Sequence, residues 1–217
     1  MELILGSQSP RRRELLERMG LEFRVLTAEI DETKYETEDP EDSVRRICRA
    51  KAKAVAERLL EENCQLSTVD CQLVLASDTI VVLDGKILGK PHSSEEAKAM
   101  LRALSGREHQ VFTAFTLLPV GGTQDAKDKT QNAAEKAQAP FTHCEKTRVK
   151  FRELTEAEID AYVATGEPMD KAGAYGIQGR GAMLVEAIHG DYFTVMGLPV
   201  CALAQALKRC GIDPLTP

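Results

Sequence analysis

Three short stretches of this chain hold the residue types that could do chemistry: SQSPRRR at residues 7–13, ASDTI at 76–80 and DKAGAYGIQGRG at 170–181. In the first, Ser9 and Pro10 mark a helix start, where unpaired amides of the first turn carry about half a positive charge. Arg11, Arg12 and Arg13 follow at once, so guanidinium groups are added where the helix already presents positive potential. With the Ser7 and Ser9 hydroxyls they make a set that could hold phosphate. The same run also reads as a solvated basic turn paired with Glu14 and Glu17.

Asp78 interrupts the apolar segment LVLASDTIVVL. Burying a carboxylate there without a partner would cost several kcal/mol, so Asp78 is expected at a strand end beside a cation, a metal or hydrogen-bond donors. Other ionisable residues flank apolar runs or turns: Glu32 after a strand–loop junction, Lys51 and Lys53 in a long helix, Lys90 before a proline, and Asp170–Lys171 before a glycine-rich loop. Taken singly, each reads as a surface charge. Taken together, they offer cations for an oligophosphate, two or three carboxylates for a divalent ion, and a glycine-lined pocket for a base. Phosphoryl chemistry needs such groups, because charge spread over non-bridging oxygens must be neutralised by fixed cations. Gly173, Gly176, Gly179 and Gly181 match neither a Walker loop nor a dinucleotide fingerprint, and no nucleophile elbow accompanies the scattered histidines.

The elements that must position these residues alternate between strand-like and helix-like patterns, which predicts an α/β fold. MELIL reads as a buried strand, residues 10–19 as a helix and LEFRVL as a second strand. After an acidic connection, Asp39 caps a long helix running to about Glu62. The Asp84-Gly85 pair predicts a hairpin turn. Ser93 with Glu96 starts a helix that stops at Ser105-Gly106, and EHQVFTAFTLLPV forms a strand. Residues 121–142 lack hydrophobic periodicity and read as a mobile surface loop. EKTRVKFREL resumes as a strand, Thr155 with Glu158 caps a helix ending at Gly166, and a closing helix runs from about Leu198 to Arg209, stopped by Gly211.

The 217 residues suffice for a sizeable core, and the net charge of -6 argues against general nucleic-acid binding. No apolar run has membrane-spanning length, and the start from Met1 straight into a strand lacks a signal-peptide pattern, so a cytoplasmic location is expected. The six cysteines show no metal-ligand spacing and are expected as free thiols.

The stretches LILGSQSPRRRELL, EIDET, RAKAKAVA, ASDTIV, GKILGKP, LSGREHQVFTAF and the run from FRELTEAEID to YFTVMGLP together resemble the Maf family of nucleoside triphosphate pyrophosphatases. The similarity covers nearly the whole chain except the loop at 121–142 and the last residues. It implies one Maf-like domain over residues 1–217 with an elongated mixed β-sheet flanked by helices. It also implies two lobes around a cleft and kinship to the inosine triphosphate pyrophosphatases. The implied reaction splits a nucleotide between its α- and β-phosphates, giving a monophosphate and pyrophosphate, with Mg²⁺ or another divalent cation such as Mn²⁺.

By the resemblance, Asp78, Glu32, Lys51 and Lys90 are the catalytic set, with Glu32 and Asp78 on the metal. Ser7, Ser9, Arg11, Arg12, Thr79, Asp170, Lys171 and Gln178 are the substrate contacts. Arg13 lies beyond the closest motif match. Thr79 and Gln178 resemble the branch that prefers dTTP and UTP, including modified pyrimidine nucleotides, over a sister branch inclined to 7-methyl-GTP. The expected partner is the nucleoside triphosphate alone, without nucleic acid or membrane, and a homodimer stays open. Two other readings remain: a nucleotide-binding regulator of cell division, which would need the cations but not the carboxylates, and a nucleotidyl or phosphoryl transferase with a different acceptor.

Overall fold

The computed structural model describes residues 1–31, 38–63, 71–121 and 140–216. Glu32 and most of the predicted loop, residues 122–139, lie outside the described residues. Among the described residues, seven strands form one mixed sheet: β1 (Glu2–Leu5), β2 (Arg24–Val25), β3 (Gln72–Leu83), β4 (Lys86–Leu88), β5 (Glu108–Val120), β6 (Phe141–Phe151) and β7 (Val185–His189). Their order is β2-β1-β3-β5-β6-β7, with β4 folded back on β3. β1 runs parallel to β2 and β3, and the remaining pairs are antiparallel.

The strands alternate sides, and two layers of helix use the alternation. On one face Val74, Ala76, Ile80 and Val82 of β3 and Phe112 and Ala114 of β5 pack beneath α2 (Pro40–Asn63) through its Val44, Cys48, Ala52, Val55 and Leu59. The opposite face carries two separate apolar clusters. Leu73, Leu75, Phe115 and Leu117 meet Leu15 and Leu16 of α1 (Pro10–Arg18). Val81, Leu83, Val111 and Phe151 meet α3 (Ser94–Leu104) and α4 (Glu156–Ala164). Two further helices close the chain, α5 (Tyr192–Met196) and α6 (Val200–Arg209), the latter packing Leu203 and Leu207 into the first of these clusters. Between the two clusters, at the positions where the alternation calls for apolar side chains, stand Ser77, Thr79 and Thr113. A polar stripe therefore splits this face of the sheet.

Several details differ from the sequence reading, each for a local reason. Ser9 is the backbone N-cap of α1, but its hydroxyl makes no capping bond; the Ser7 Oγ accepts from the Ser9 amide instead, at 3.2 Å. Ser93 caps α3, while the Glu96 carboxylate returns to the His92 amide rather than to the cap residue. The Thr155–Glu158 capping box forms in full. β6 begins at Phe141, inside the segment read as loop, because Leu117 and Thr116 of β5 offer it paired positions. Asp78 sits mid-strand rather than at a strand end. It can do so because β1 covers β3 only at residues 72–75 and β4 only at 81–83, leaving the edge between them without a strand neighbour.

Candidate active site

That uncovered stretch of β3 opens onto a cleft of about 1490 Å³. Its near wall is formed by residues 6–12 leaving β1, by Ser77, Asp78 and Thr79, and by Lys51 of α2; its far wall includes Lys90, Asp170, Lys171, Tyr175, Gly176 and Ile177. Lys51 donates to Asp78 Oδ1 at 2.7 Å, the two side chains being 18% and 13% exposed. Of the partners that the buried-carboxylate argument allows, a cation, a metal or hydrogen-bond donors, Lys51 is the cation. The second carboxylate oxygen of Asp78 has no partner among the described residues.

Arg12 works as a clasp. Its Nε donates to the Gly197 carbonyl at 2.8 Å, Nη1 to Ser7 Oγ at 3.0 Å and Nη2 to Thr79 Oγ1 at 3.1 Å. The Gly197 carbonyl also accepts from Ser77 Oγ at 3.1 Å. Gly197 has a φ of 113°, a backbone state that a side chain would strain, and this reversal after α5 turns its carbonyl toward the arginine.

Behind Thr79 the hydroxyls form a directed relay. Thr113 Oγ1 donates to the Thr194 carbonyl at 2.7 Å, which commits its proton. The 3.0 Å contact between Thr79 and Thr113 therefore runs from Thr79 to Thr113, and the Thr79 oxygen is left to accept from Arg12. Asp78 and Thr79, adjacent in sequence, point to opposite faces of the sheet and reach the cleft together only at its open edge.

The other cations differ in how they are held. Lys171 Nζ donates to the Glu167 carbonyl and to Asp170 Oδ1, both at 2.6 Å. Desolvation acts to raise the Asp170 carboxyl, but Lys171 and the charge of Arg11 outweigh it and hold the group below its usual range. Arg11 and Lys90 line the cleft and have no hydrogen-bond or ion-pair partner among the described residues. Ser7 and Ser9 also line it. Gln178 is half-buried one residue beyond the lining pair Gly176–Ile177 and does not itself line the cleft.

Some participants escaped the sequence reading. Gly197 and Thr113 become visible only as partners of Arg12 and Thr79. Beneath the far wall, Tyr175 meets the buried His109 of β5 at 2.7 Å. Burial lowers the His109 ring to about 4, so it is neutral at physiological pH. The one available signal for it was a histidine at an inward position of a largely apolar strand.

The sequence model described as "Maf-like protein" matches residues 2–210. The chain belongs to the Maf-like family. Curated relatives align over nearly its full length. The dTTP/UTP pyrophosphatase of Geobacillus sp. (strain WCH70) is 47% identical over 210 residues, spanning 97% of this chain and 98% of its own. The dTTP/UTP pyrophosphatase of Bacillus cereus (strain AH820) is 44% identical over 212 residues, spanning 98% and 97%. Among solved structures, the Staphylococcus aureus Ham1 protein aligns with a TM-score of 0.47 and 12% identity, over 98% of this chain and all of that one. Among the described residues of this Maf-like chain, no helix is long and apolar enough to cross a membrane.

Proposed function

We propose that this Maf-like protein is a nucleoside triphosphate pyrophosphatase acting on dTTP, UTP and modified pyrimidine triphosphates. It releases the monophosphate and pyrophosphate. The observation that carries the reading is one carboxylate, Asp78, fixed by Lys51 through one oxygen, with no partner at the other among the described residues, in the same cleft as Arg11 and Lys90, cations that likewise have no hydrogen-bond or ion-pair partner among the described residues.

In this reading the open Asp78 oxygen orients a water and takes its proton as the water oxygen attacks the α-phosphorus in line. The bond from the α-phosphorus to the bridging oxygen breaks, and pyrophosphate leaves with that oxygen. Arg11, Lys90 and Lys171 neutralise the charge developing on the leaving group. Lys51 holds Asp78 aimed through one oxygen, and Arg12 holds the Ser7 loop and Thr79 against each other so that the phosphate cradle keeps its shape. Thr79 couples the sugar or base to the reacting phosphate, and Gln178, one residue outside the cleft lining, stiffens the glycine-rich loop behind the far wall.

Among the described residues no group of three or more metal-ligating side chains is present. Mg²⁺ suits the residues nonetheless, since it is held by one or two carboxylates together with substrate oxygens and waters. Asp78 supplies one carboxylate, and Glu32, outside the described residues, is the proposed second. When bound, the ion would polarise phosphate oxygens and lower the proton affinity of water.

The test is pyrophosphate release from dTTP, UTP, CTP, ATP and GTP, each with and without Mg²⁺ and with Mn²⁺ in its place. Release that depends on a divalent cation and is fastest with dTTP and UTP is expected. Tight binding of triphosphates with no release of pyrophosphate would instead make this a nucleotide-binding protein, and transfer of the nucleotidyl group to an added alcohol in place of water would make it a transferase.

A further inference from the structure

The residues that build the far wall are themselves gathered by a carboxylate outside the proposed reaction. Glu167 opens a short turn (Glu167–Asp170) after α4. Its Oε1 accepts from the Tyr162 hydroxyl at 2.9 Å and from the Gly181 amide at 3.0 Å, and its Oε2 accepts from the Arg180 amide at 3.0 Å. The Tyr162 oxygen in turn accepts from the Gly176 amide at 3.2 Å. One carboxylate thus holds both ends of the loop from Gly176 to Gly181, the near end through Tyr162 and the far end directly.

The packing around this group leaves no slack. A Cβ placed on Gly179 would come within 2.8 Å of Glu167 Oε2. One placed on Gly181 would strike the Gly176 carbonyl and lie 2.6 Å from the Tyr162 hydroxyl. Lys171 belongs to the same assembly, its ammonium held by the Glu167 carbonyl and its Cε within 2.7 Å of where a Gly176 side chain would begin. Although desolvation acts to raise the Glu167 carboxyl, the two amides, the Tyr162 hydroxyl and Lys171 hold it below the usual range, so it is an anion wherever the loop is closed on it. Within the loop, Gly176 and Ile177 are cleft wall.

We propose that Glu167, acting with Tyr162, is a positioning residue for substrate binding: it fixes the main chain of Gly176–Gly181 and the ammonium of Lys171 at the cleft. The proposal rests on the pyrophosphatase reading for what the wall contacts, but the clamp itself can be read without turnover. Its carboxylate touches no reacting atom, and Lys171 keeps its bond to the Glu167 main-chain carbonyl when only the side chain is changed, so the carboxylate acts on binding rather than on the chemical step.

Glu167→Gln keeps the size of the side chain but turns one acceptor into a donor facing amides that also donate. Tyr162→Phe removes only the relay to Gly176. In the intact protein, Glu167→Gln is expected to raise KM for UTP by about tenfold, and Tyr162→Phe by a few-fold, with kcat within about twofold of the parent. Because Tyr162 acts through Glu167, the double variant should be little worse than Glu167→Gln alone. Amide exchange at Gly176, Arg180 and Gly181 should quicken in Glu167→Gln, while amides of β3 and α2 keep their protection.

A Glu167→Gln protein with parental KM and parental exchange at these three amides overturns the proposal. So does a loss of kcat that tracks a lowered melting temperature with KM unchanged, which would make Glu167 a structural residue only. If the parent itself releases no pyrophosphate from any triphosphate, the pyrophosphatase reading fails separately. The exchange measurement, with UTP binding followed directly, then still decides whether Glu167 holds the wall.

Discussion

The near wall of the cleft is made of side chains that stand on regular strands and helices, whereas the far wall is made of main chain gathered by a few side chains. Asp78, Thr79 and Thr113 project from long paired strands, and Lys51 from a 24-residue helix, so their positions follow from the sheet register and the core beneath it. The wall opposite, from Glu167 to Leu184, is a succession of short turns in which Gly173 and Ala174 both have positive φ. Its shape depends on Glu167, Tyr162 and the Tyr175–His109 contact. Loss of Asp78 should therefore appear in the rate of the chemical step, and loss of the Glu167–Tyr162 contacts that gather the far wall in affinity, discrimination and local stability.

The largest expected effect is on the near wall. Asp78→Asn keeps the shape of the side chain and an acceptor for Lys51 but removes the charge, and turnover should fall roughly a hundredfold or more, the usual scale for losing a general base. Steady-state kinetics on a variant whose melting temperature matches the parent checks this. Near-normal kcat would remove Asp78 from the reaction and blur the contrast between the walls.

Next comes an acid sensitivity located under the far wall. His109 is neutral in the folded protein down to about pH 4, while in the unfolded chain it takes up a proton near its ordinary value of 6.5. Its folded value is the lower one, so its contribution is complete above about 6.5 and is lost as pH falls toward 4, where it has gone. The loss amounts to at most roughly 3 kcal/mol over that window. Urea denaturation at several pH values should show it, and His109→Gln, which keeps a hydrogen-bonding side chain without a titration in this range, should flatten the slope. An equal slope in both proteins would assign the acid sensitivity to other groups.

The smallest effect separates two neighbouring arginines. Arg12 is engaged with Ser7, Thr79 and Gly197, so Arg12→Ala should lower the melting temperature as well as weaken substrate binding. Arg11 has no such partners among the described residues, so Arg11→Ala should leave the melting temperature unchanged and lower kcat/KM for UTP by about tenfold, the scale of one charge-assisted hydrogen bond. If Arg11→Ala has parental kcat/KM, the arginine is a solvated surface charge and the neutralising cations are Lys90 and Lys171.

The sequence by itself determined the elements and much of the chemistry, because both depend on local pattern. Two-residue alternation, helical spacing and end signals such as Thr155 with Glu158 act within a few residues, and they placed β5 and the start of α4 where the structure has them. The cost of an unpaired carboxylate likewise foretold that Asp78 would stand beside a cation, a metal or hydrogen-bond donors. Tertiary structure alone decided which cation that is and where the pair stands. Lys51 reaches Asp78 across 27 residues because α2 lies on the sheet face that Asp78 shares, and the pair is open to a ligand because two short strands leave a gap along β3. The same holds for Arg12, expected from the sequence as a phosphate contact and bound across 185 residues to the Gly197 carbonyl, and for Glu167, an acidic residue in a turn until the fold brings the amides of Arg180 and Gly181 onto it. Partners of this kind are set by the packing of distant segments, which leaves no periodic trace in the residues between them.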